Sequence, residues 1–557
     1  MMETRRSTSC SDARGIATSL AALLLLSVGC PSAPPDPDPT PEPTPAVVGE
    51  PHDPGPPYFE DVTDSAGIGT VLPGSAVAAA DIDGDGWTDL YYSGRDGGQR
   101  LFRNLGNGQF EDVTDAWLPA DTQTDQTVGA TFADTDNDGD PDLLLGSGGQ
   151  DILLGNLGYR FEDISNLAGI QGAPTNASGS WALADYDRDG DLDAYVTGGV
   201  DGGEVGASGP EDTGLPDRLY RNDGGNTFTD VSALMPEDMR RGVGFIAGWT
   251  DTDQDGDEDL YIVNDIGFVV PNRLFRNDGP DGNGGWVFTP LGEDCGCMLR
   301  EAGMGLAIGD FDRDGLQDLY TSNGANPFLP QPVAEVLLRN EGDNSFVDVS
   351  LAVDAHAGGE ERISSWGLDF LDVDNDGWLD VFIPFGHPAP LPLTMPEMDA
   401  LMKNRGGTFE VVEDAGVGNV AWAMSAAVLD FDHDGCLDLA VNYMNEGESG
   451  RLFRNLCATT NLSVELTLRG TASNRDAVGA VAIAQVGDLV LREEVLAGSS
   501  SVYASRWKTL HFGLGGHPAL ARLEIQWPSG RVDVFEDVTG GRRYALVEGD
   551  ASLTALD

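Results

Sequence analysis

Residues 81–89 read DIDGDGWTD and carry the nine-residue pattern Asp-x-Asp-x-Asp-Gly-x-x-Asp, from which the fold can be predicted. The pattern returns as DTDNDGDPD at 134, DYDRDGDLD at 185, DTDQDGDED at 251, DFDRDGLQD at 310, DVDNDGWLD at 372 and DFDHDGCLD at 430. Successive copies begin 53, 51, 66, 59, 62 and 58 residues apart, and this spacing indicates stacked supersecondary units. We name the copies loop 1 to loop 7 in chain order and number the nine positions of each.

The same landmarks flank most of the loops. An apolar segment such as VAAA precedes the loop, and another such as LYYSG follows it. A segment of the LFRN type comes next, and then a segment that begins with Phe and often reads Phe-x-Asp-Val. Four short strands per unit predict a propeller blade. The sequence therefore predicts an all-β protein with a seven-bladed β-propeller over residues 58–457.

The phase of these landmarks also predicts how the ring closes. A Phe-x-Asp-Val type segment follows each of the first six loops but not the seventh, and one unpaired copy stands before loop 1 at residues 59–62. We expect this N-terminal strand to complete the last blade. Such closure pairs an edge that would otherwise expose backbone hydrogen-bonding groups.

The loops are predicted calcium sites. Two carboxylates 4 Å apart repel by about 4 kcal/mol at an effective dielectric near 20, so a bound cation is needed to make such clusters favourable. Side-chain oxygens at positions 1, 3, 5 and 9, a carbonyl at position 7 and a bend at the glycine of position 6 fit calcium better than magnesium. We expect about seven calcium ions with a mainly structural role.

The predicted metal ligands occupy positions 1, 3, 5, 7 and 9 of every loop, with the position 7 residue offering its carbonyl. They are Asp81, Asp83, Asp85, Trp87 and Asp89; Asp134, Asp136, Asp138, Asp140 and Asp142; Asp185, Asp187, Asp189, Asp191 and Asp193; Asp251, Asp253, Asp255, Asp257 and Asp259; Asp310, Asp312, Asp314, Leu316 and Asp318; Asp372, Asp374, Asp376, Trp378 and Asp380; and Asp430, Asp432, Asp434, Cys436 and Asp438.

Two other interpretations of the loops compete with this one. An EF-hand needs a Glu at position 12 between two helices, but strand residues such as Tyr92 and Leu145 stand there. A single Asp-Gly loop is commonly a solvated turn. Seven complete copies argue against that second interpretation.

The loops and their flanking strands resemble the FG-GAP or VCBS repeats of integrin α-chain-type propellers. Residues 474–480 (NRDAVGA), 511–515 (HFGLG) and 527–530 (WPSG) are similar to the ASPIC/UnbV domain that follows such repeats in the cartilage acidic protein family and its bacterial relatives. This resemblance implies an extracellular calcium-binding propeller with a C-terminal β domain, usually without a defined reaction.

The C-terminal region, residues 458–557, alternates apolar and polar residues as strands do, and it predicts a small β-sandwich-like domain. His511 in this region is either a catalytic residue or, as we favour, a packed and hydrogen-bonded one. Among the cysteines, Cys436 precedes one predicted strand and Cys457 follows the next, so a disulfide between them is expected. Cys295 and Cys297 could pair with each other or stay as thiols.

The N-terminus predicts export. Three arginines precede a 13-residue apolar stretch, which is too short to span a bilayer, and the segment ends at Cys30 in a sequence that resembles a bacterial lipobox. The sequence thus predicts a lipoprotein signal peptide at 1–29, a lipidated Cys30 and a Pro- and Asp-rich linker at 30–57. An ordinary secretory signal is the alternative. We expect anchorage to a bacterial envelope membrane, facing the periplasm or the cell surface.

Charge limits the classes of partner. Lys and Arg total 31 against 93 Asp and Glu, a balance of 31 − 93 = −62, which excludes nucleic acid and leaves the lipid anchor as the only membrane contact. We found no HExxH, GxSxG or CxxC signature. The favoured function is an adhesion or ligand-binding scaffold for an extracellular protein or glycan. The alternatives are a propeller-based polysaccharide lyase or hydrolase and a calcium-stiffened surface coat.

The face opposite the calcium loops is the predicted binding face. It carries the longest insertions, at 198–216, 322–333 and 386–397, and the connections that contain Arg240, Arg241, His356 and Arg362. Ordinary solvated surface loops are the alternative interpretation.

Overall fold

The computed structural model describes residues 53–556 apart from 95–96, 121, 123–126, 171–177, 200–213, 266, 268–269, 325–333, 358–363, 387–397, 419–420, 446–447, 449, 499–500 and 502. The predicted signal peptide, Cys30, Arg362, most of the predicted linker and most of the three insertions lie outside the described residues. Within the described part of the chain, no helix has the length and apolar character needed to cross a bilayer.

Strand β1 (Phe59–Asp61) opens the described fold, and the following strands form one sheet after another. Sheet 1 contains β2 (Val77–Ala80), β3 (Asp89–Tyr92), β4 (Arg100–Asn104) and β5 (Phe110–Asp112). Sheet 2 contains β6 (Thr127–Ala133), β7 (Asp142–Ser147), β8 (Ile152–Asn156) and β9 (Phe161–Asp163). Sheet 3 contains β10 (Ser178–Ala184), β11 (Asp193–Gly198), β12 (Arg218–Asn222) and β13 (Phe228–Asp230).

Sheet 4 contains β14 (Gly244–Thr250), β15 (Asp259–Asn264), β16 (Arg273–Pro280) and β17 (Trp286–Pro290). Sheet 5 contains β18 (Gly303–Gly309), β19 (Asp318–Asn323), β20 (Val336–Asn340) and β21 (Phe346–Asp348). Sheet 6 contains β22 (Asp369–Leu371), β23 (Asp380–Ile383), β24 (Ala400–Asn404) and β25 (Phe409–Val411). Sheet 7 contains β26 (Ala423–Leu429), β27 (Asp438–Tyr443), β28 (Arg451–Asn455) and β1.

Among the described residues, these strands thus make seven four-stranded antiparallel sheets, and the predicted all-β propeller class is confirmed. The first strands of neighbouring sheets contact each other in a closed cycle from β2 through β6, β10, β14, β18, β22 and β26 back to β2. Strand β1 pairs with β28, with Phe59 opposite Asn455 and Asp61 opposite Phe453. The predicted closure by the N-terminal strand is therefore confirmed.

Short helices follow several of the fourth strands. They are α1 (Thr63–Ala66), α2 (Thr114–Trp117) and α3 (Ser165–Ala168), with 3-10 turns at Ser232–Leu234, Glu237–Met239 and Glu293–Cys295. Asp112 shows why the chain turns there, because its Oδ1 accepts both the N–H and the hydroxyl of Thr114, at 3.0 and 2.6 Å. Contacts with the propeller begin within the predicted linker, before its end at residue 57. Asp53 accepts a hydrogen bond from the Tyr58 hydroxyl and forms an ion pair with Arg405.

The C-terminal domain consists of two four-stranded sheets. One has the order β32 (Leu510–Gly513), β29 (Ser463–Arg469), β35 (Arg542–Val547), β36 (Thr554–Leu556), with β29 and β35 parallel. The other has the order β31 (Leu489–Glu494), β30 (Val481–Val486), β33 (Ala519–Gln526), β34 (Val532–Thr539). Val464 and Leu466 of the first sheet share one core with Ala482 and Leu523 of the second, as a sandwich requires.

Candidate metal centre

The seven loops share one backbone conformation. Each joins the first and second strands of its sheet, so all lie at one edge of the propeller, which we call the loop rim. Position 6 is Gly with φ between 82° and 104° in every loop, and the six non-glycine residues at position 4 have φ between 56° and 62°. A left-handed residue at position 6 is the bend that the sequence predicted from its glycine.

Hydrogen bonds hold the position 1 carboxylate in place. In loop 1, Asp81 Oδ1 accepts the N–H of Asp85 at 3.1 Å and Oδ2 accepts that of Gly86 at 2.9 Å. The bond from the position 6 glycine recurs in all seven loops. Each carboxylate oxygen keeps a second acceptor site, so this carboxylate can still bind a cation.

The position 9 carboxylate accepts one hydrogen bond from its own loop and one from the third strand of the sheet. In loop 1, Asp89 Oδ2 accepts the N–H of Ile82 at 2.9 Å, and Oδ1 accepts that of Asn104 at 2.7 Å. Asn104 ends strand β4, and an Asn stands at the corresponding place in each sheet. The position 9 oxygen accepts the N–H of that Asn in all seven sheets.

These asparagines also join neighbouring sheets, a role that sequence reasoning missed. The side-chain amide of each one donates to the carbonyl of position 2 in the preceding loop, and Asn104 closes the cycle by donating to Phe431 of loop 7 at 2.8 Å. The other six pairs are Asn156 to Ile82, Asn222 to Thr135, Asn277 to Tyr186, Asn340 to Thr252, Asn404 to Phe311 and Asn455 to Val373. The available signal was that this Asn is common to all seven LFRN-type segments, whereas the residue before it varies.

The loop carboxylates converge as a cation site requires. Oxygens of positions 1, 3 and 5 lie within 4.8 Å of one another in loops 1, 2 and 4, and oxygens of positions 1, 3 and 9 do so in loop 3. Calcium–oxygen distances are about 2.3–2.6 Å, so oxygens on opposite sides of one ion are about 5 Å apart. Buried Oδ1 atoms of Asp187, Asp253 and Asp432 accept no hydrogen bond. The residues present therefore fit calcium.

Without a bound cation, the pKa values of the clustered carboxyl groups are raised. Burial raises the pKa of Asp81 to about 6 and that of Asp89 to about 8, and the neighbouring loop carboxylates add to the effect of burial. In loop 5, burial raises the pKa of Asp310 to about 7 and that of Asp318 to about 9. Ionised carboxylates are unfavourable here unless positive charge compensates them.

Loop 6 differs from the others because it contains a cation of its own. The side chain of Lys403 on β24 has no exposed surface, and its Nζ lies 2.5 Å from Asp374, 3.5 Å from Asp376 and 3.5 Å from Asp380. In loop 1, Arg103 pairs with Asp83 and Asp85, but its side chain is one-third exposed. Sequence analysis did not single out either residue.

The C-terminal domain covers much of the loop rim. The N–H of Asp134 donates to Asp476 Oδ2 at 2.9 Å, and the N–H of Arg475 donates to Asn137 Oδ1 at 2.7 Å. His511 is buried with Nε2 3.2 Å from the carbonyl oxygen of Gly435 in loop 7. This contact agrees with the packed role favoured for His511 over a catalytic one.

A segment of the C-terminal domain also enters the centre of the ring. We call the described residues of 497–505 the channel segment. Leu183 of β10 donates to Ala497 O at 3.0 Å, Ala130 of β6 donates to Tyr503 O at 3.3 Å, and Ser505 donates to Val77 O of β2 at 3.3 Å. These partners belong to first strands of different sheets, so the channel segment lies at the propeller axis.

Both cysteine pairs form disulfides. Cys436, at position 7 of loop 7, is joined to Cys457 beyond β28 with Cα atoms 5.7 Å apart. Cys295 and Cys297 are joined with Cα atoms 5.2 Å apart. The thiol alternative for that second pair is therefore wrong.

The basic residues that the sequence placed on the predicted binding face lie in different surroundings. Arg240 is buried and donates to the backbone carbonyls of Met235 and Asp217, so it is not available to a ligand. Arg241 is more exposed and pairs with Glu237. His356 is half-buried.

Comparison with known families defines the class of protein. Residues 81–145, 134–196 and 251–321 match the FG-GAP-like repeat, residues 422–453 match the FG-GAP repeat, and residues 470–553 match ASPIC and UnbV. The chain is thus an FG-GAP-repeat β-propeller with a C-terminal ASPIC and UnbV domain.

Among curated proteins, the chain is related to cartilage acidic protein 1. It is 23% identical to the Xenopus tropicalis protein over 505 residues, which cover 76% of this chain and 74% of that protein. It is 25% identical to the Homo sapiens protein over 299 residues, or 52% of this chain and 41% of that protein. A solved Agrocybe aegerita lectin that recognises non-reducing terminal N-acetylglucosamine has a TM-score of 0.40 and 17% identity, covering 68% of this chain and 93% of its own.

Proposed function

We propose that this protein is an exported, calcium-loaded propeller that acts as a ligand-binding scaffold. The convergence of loop carboxylates within 4.8 Å carries the proposal, because calcium explains why such charge is gathered at one rim. Calcium in this role is structural. It neutralises loops whose carboxylates are held by backbone hydrogen bonds and joined from sheet to sheet by asparagines.

Export and anchorage through Cys30 belong to the same proposal. The basic and apolar N-terminal segment supports export, and two disulfides are typical of an oxidising compartment. Extracytoplasmic fluids also supply calcium at the concentrations that extracellular modules require.

The rim opposite the loops is the proposed ligand face. Two observations favour it: the C-terminal domain covers much of the loop rim, and aromatic rings gather near the starts of first strands on the other side. The half-buried Trp422 ring lies 5.4 Å from the buried ring of Trp366, and the half-buried Phe245 ring lies 6.4 Å from Trp366. Aromatic rings present large, rigid surfaces of the kind that glycans and proteins contact.

Two measurements test the proposal. Calorimetry on chelator-stripped protein should detect uptake of several calcium ions. Absence of uptake would contradict the proposal that the protein binds calcium. A glycan array and pull-downs with the soluble body should then give calcium-dependent binding that Trp422→Ala weakens and Tyr159→Ala leaves unchanged. Tyr159 is the matched control because its ring is exposed on another surface.

A further inference from the structure

We infer that loop 6 is not a calcium site, because the ammonium group of Lys403 occupies the cation position within it. The inference rests on the proposed function, since it assigns calcium to the other six loops and an internal cation to the seventh. On this inference, loop 6 needs no bound metal because Lys403 supplies its positive charge.

The geometry places the ammonium where an ion would bind. Nζ lies 2.5–3.5 Å from oxygens of Asp374, Asp376 and Asp380, which are positions 3, 5 and 9 of loop 6. A calcium ion would need oxygens of the same three residues at about 2.3–2.6 Å. An ammonium group and a divalent ion cannot both fill this space, because their like charges would be only a few ångströms apart without water between them.

The ion pair between Lys403 and Asp374 is buried. The side chains of Lys403 and Asp374 have no exposed surface, whereas the position 3 Asp is half-buried in each of the other six loops. Among the described residues, the carboxylate oxygens of Asp374 have no hydrogen-bond donor other than this ammonium. Withdrawing Lys403 would therefore leave a buried carboxylate without compensation, and such a change is strongly unfavourable.

The equivalent strand positions in the other sheets do not reproduce this arrangement. Sheet 2 has Gly155 at the position that corresponds to Lys403. Sheets 3, 4, 5 and 7 have an arginine at this position, and each arginine pairs with a carboxylate outside its own loop. The pairs are Arg221 with Asp223, Arg276 with Asp278, Arg339 with Glu341 and Arg454 with Glu60. Arg103 of sheet 1 contacts two loop carboxylates from a one-third exposed position. Within the described part of the chain, only Lys403 pairs with three carboxylates of one loop. Lysine suits this site because its charge is compact, whereas a guanidinium is a wide planar fork.

The test compares calcium stoichiometry in chelator-stripped full-length protein. Lys403→Met keeps the aliphatic stem and removes the charge, and Lys403→Gly copies Gly155, which sheet 2 tolerates at that position. Arg276→Gln is the matched control, because Arg276 occupies the same strand position but pairs with Asp278 at 2.6 Å. Calorimetry should count six calcium ions in the wild type and in the control, and seven in a Lys403 variant.

Terbium luminescence locates the added site. Trp87 and Trp378 stand at position 7 of loops 1 and 6, so a Trp87→Phe background leaves Trp378 as the position 7 tryptophan. Luminescence sensitised through Trp378 should increase several-fold when Lys403→Met is added to this background. Seven ions in the wild type, or a count and luminescence that Lys403→Met does not change, would overturn the inference.

A measurement without metal separates this inference from the calcium proposal. In excess chelator, Lys403→Met should melt several degrees below the wild type, because three loop carboxylates lose their cation, and Arg276→Gln should not. Equal melting of Lys403→Met and wild type overturns the role of Lys403. If no variant takes up calcium and yet Lys403→Met melts lower, the calcium proposal fails while the internal cation stands.

Discussion

The propeller and the C-terminal domain are built in opposite ways. The propeller repeats one unit, and each sheet is joined to the preceding one by the same asparagine contact. The C-terminal domain has two different sheets that share one hydrophobic core, and propeller residues such as Trp181 and Leu183 belong to that same core. Its contacts with the loops differ from one loop to the next. Seven loops with one sequence pattern therefore have unequal surroundings, and we do not expect their proposed cation sites to be equivalent.

Removal of calcium should affect the propeller more than the C-terminal domain, and it should have the largest effect on stability. At roughly 1 mM calcium and dissociation constants of about 10⁻⁴–10⁻³ M, the six proposed sites together should contribute about 2–8 kcal/mol to the free energy of unfolding. Chelation should therefore lower the melting temperature, and calcium should restore it. Hydrogen exchange should accelerate more in β2–β28 than in the β30–β33 pair of the C-terminal domain. Equal acceleration in both regions would contradict the assignment of the cations to the propeller.

Tyr503→Ala tests the joint between the two regions. The Tyr503 ring is 8% exposed and lies 5.7 Å from the ring of Phe245 in the propeller. Loss of such a buried aromatic side chain should cost about 3–5 kcal/mol in denaturant unfolding. Tyr159→Ala is the control, because its side chain is 63% exposed and should change stability by less than about 0.5 kcal/mol. A similar small effect at Tyr503 would mean that the channel segment does not hold the regions together.

Asn222→Ala tests the repeated contact within the ring. The Asn222 amide donates to Thr135 O of the preceding loop at 2.7 Å and to Leu192 O at 3.2 Å. Its loss leaves buried carbonyls without a donor, and we expect about 2–3 kcal/mol of destabilisation. Asn107→Ala, at an exposed position, should have little effect. If both variants unfolded at the same denaturant concentration, the asparagine ring would contribute nothing measurable.

The pH dependence should change sign with calcium. Without metal, Asp89 has a folded-state pKa near 8, against an ordinary value of 3.8, so the native state binds more protons than the unfolded state between these values. Stability is then full below about pH 4 and falls as pH rises towards 8, by about 1.4 kcal/mol per pH unit for each proton. Bound calcium keeps the carboxylates ionised, so the loaded protein should instead lose stability as pH falls. Melting temperatures at pH 5, 6 and 7 with calcium or chelator give both slopes, and slopes of the same sign would contradict calcium ligation.

Much of the fold was predictable because its signals are local and repeated. The Asp-Gly loops and the four strands of each unit follow from patterns within about 60 residues, and the closing strand at Phe59 follows from the phase of these patterns along the whole repeat region. The proposed loop ligands of positions 1, 3, 5 and 9 also come from one short segment. Lys403 could not be predicted in this way, because its strand position holds Arg, Gly or Lys in different sheets and only packing shows where the side chain points.

The repeat, the strand order within each unit and the acidic loops can be read from the amino-acid sequence, since residues close together in the chain establish them. Three features appear only in the folded molecule: asparagines bridge adjacent sheets, the C-terminal domain covers the loop rim, and an ammonium group lies inside loop 6. These features depend on residues that are far apart in the chain. Asn104 meets Phe431 across 327 residues and Arg475 meets Asn137 across 338, and such contacts exist only once the ring has closed and the last domain has packed upon it.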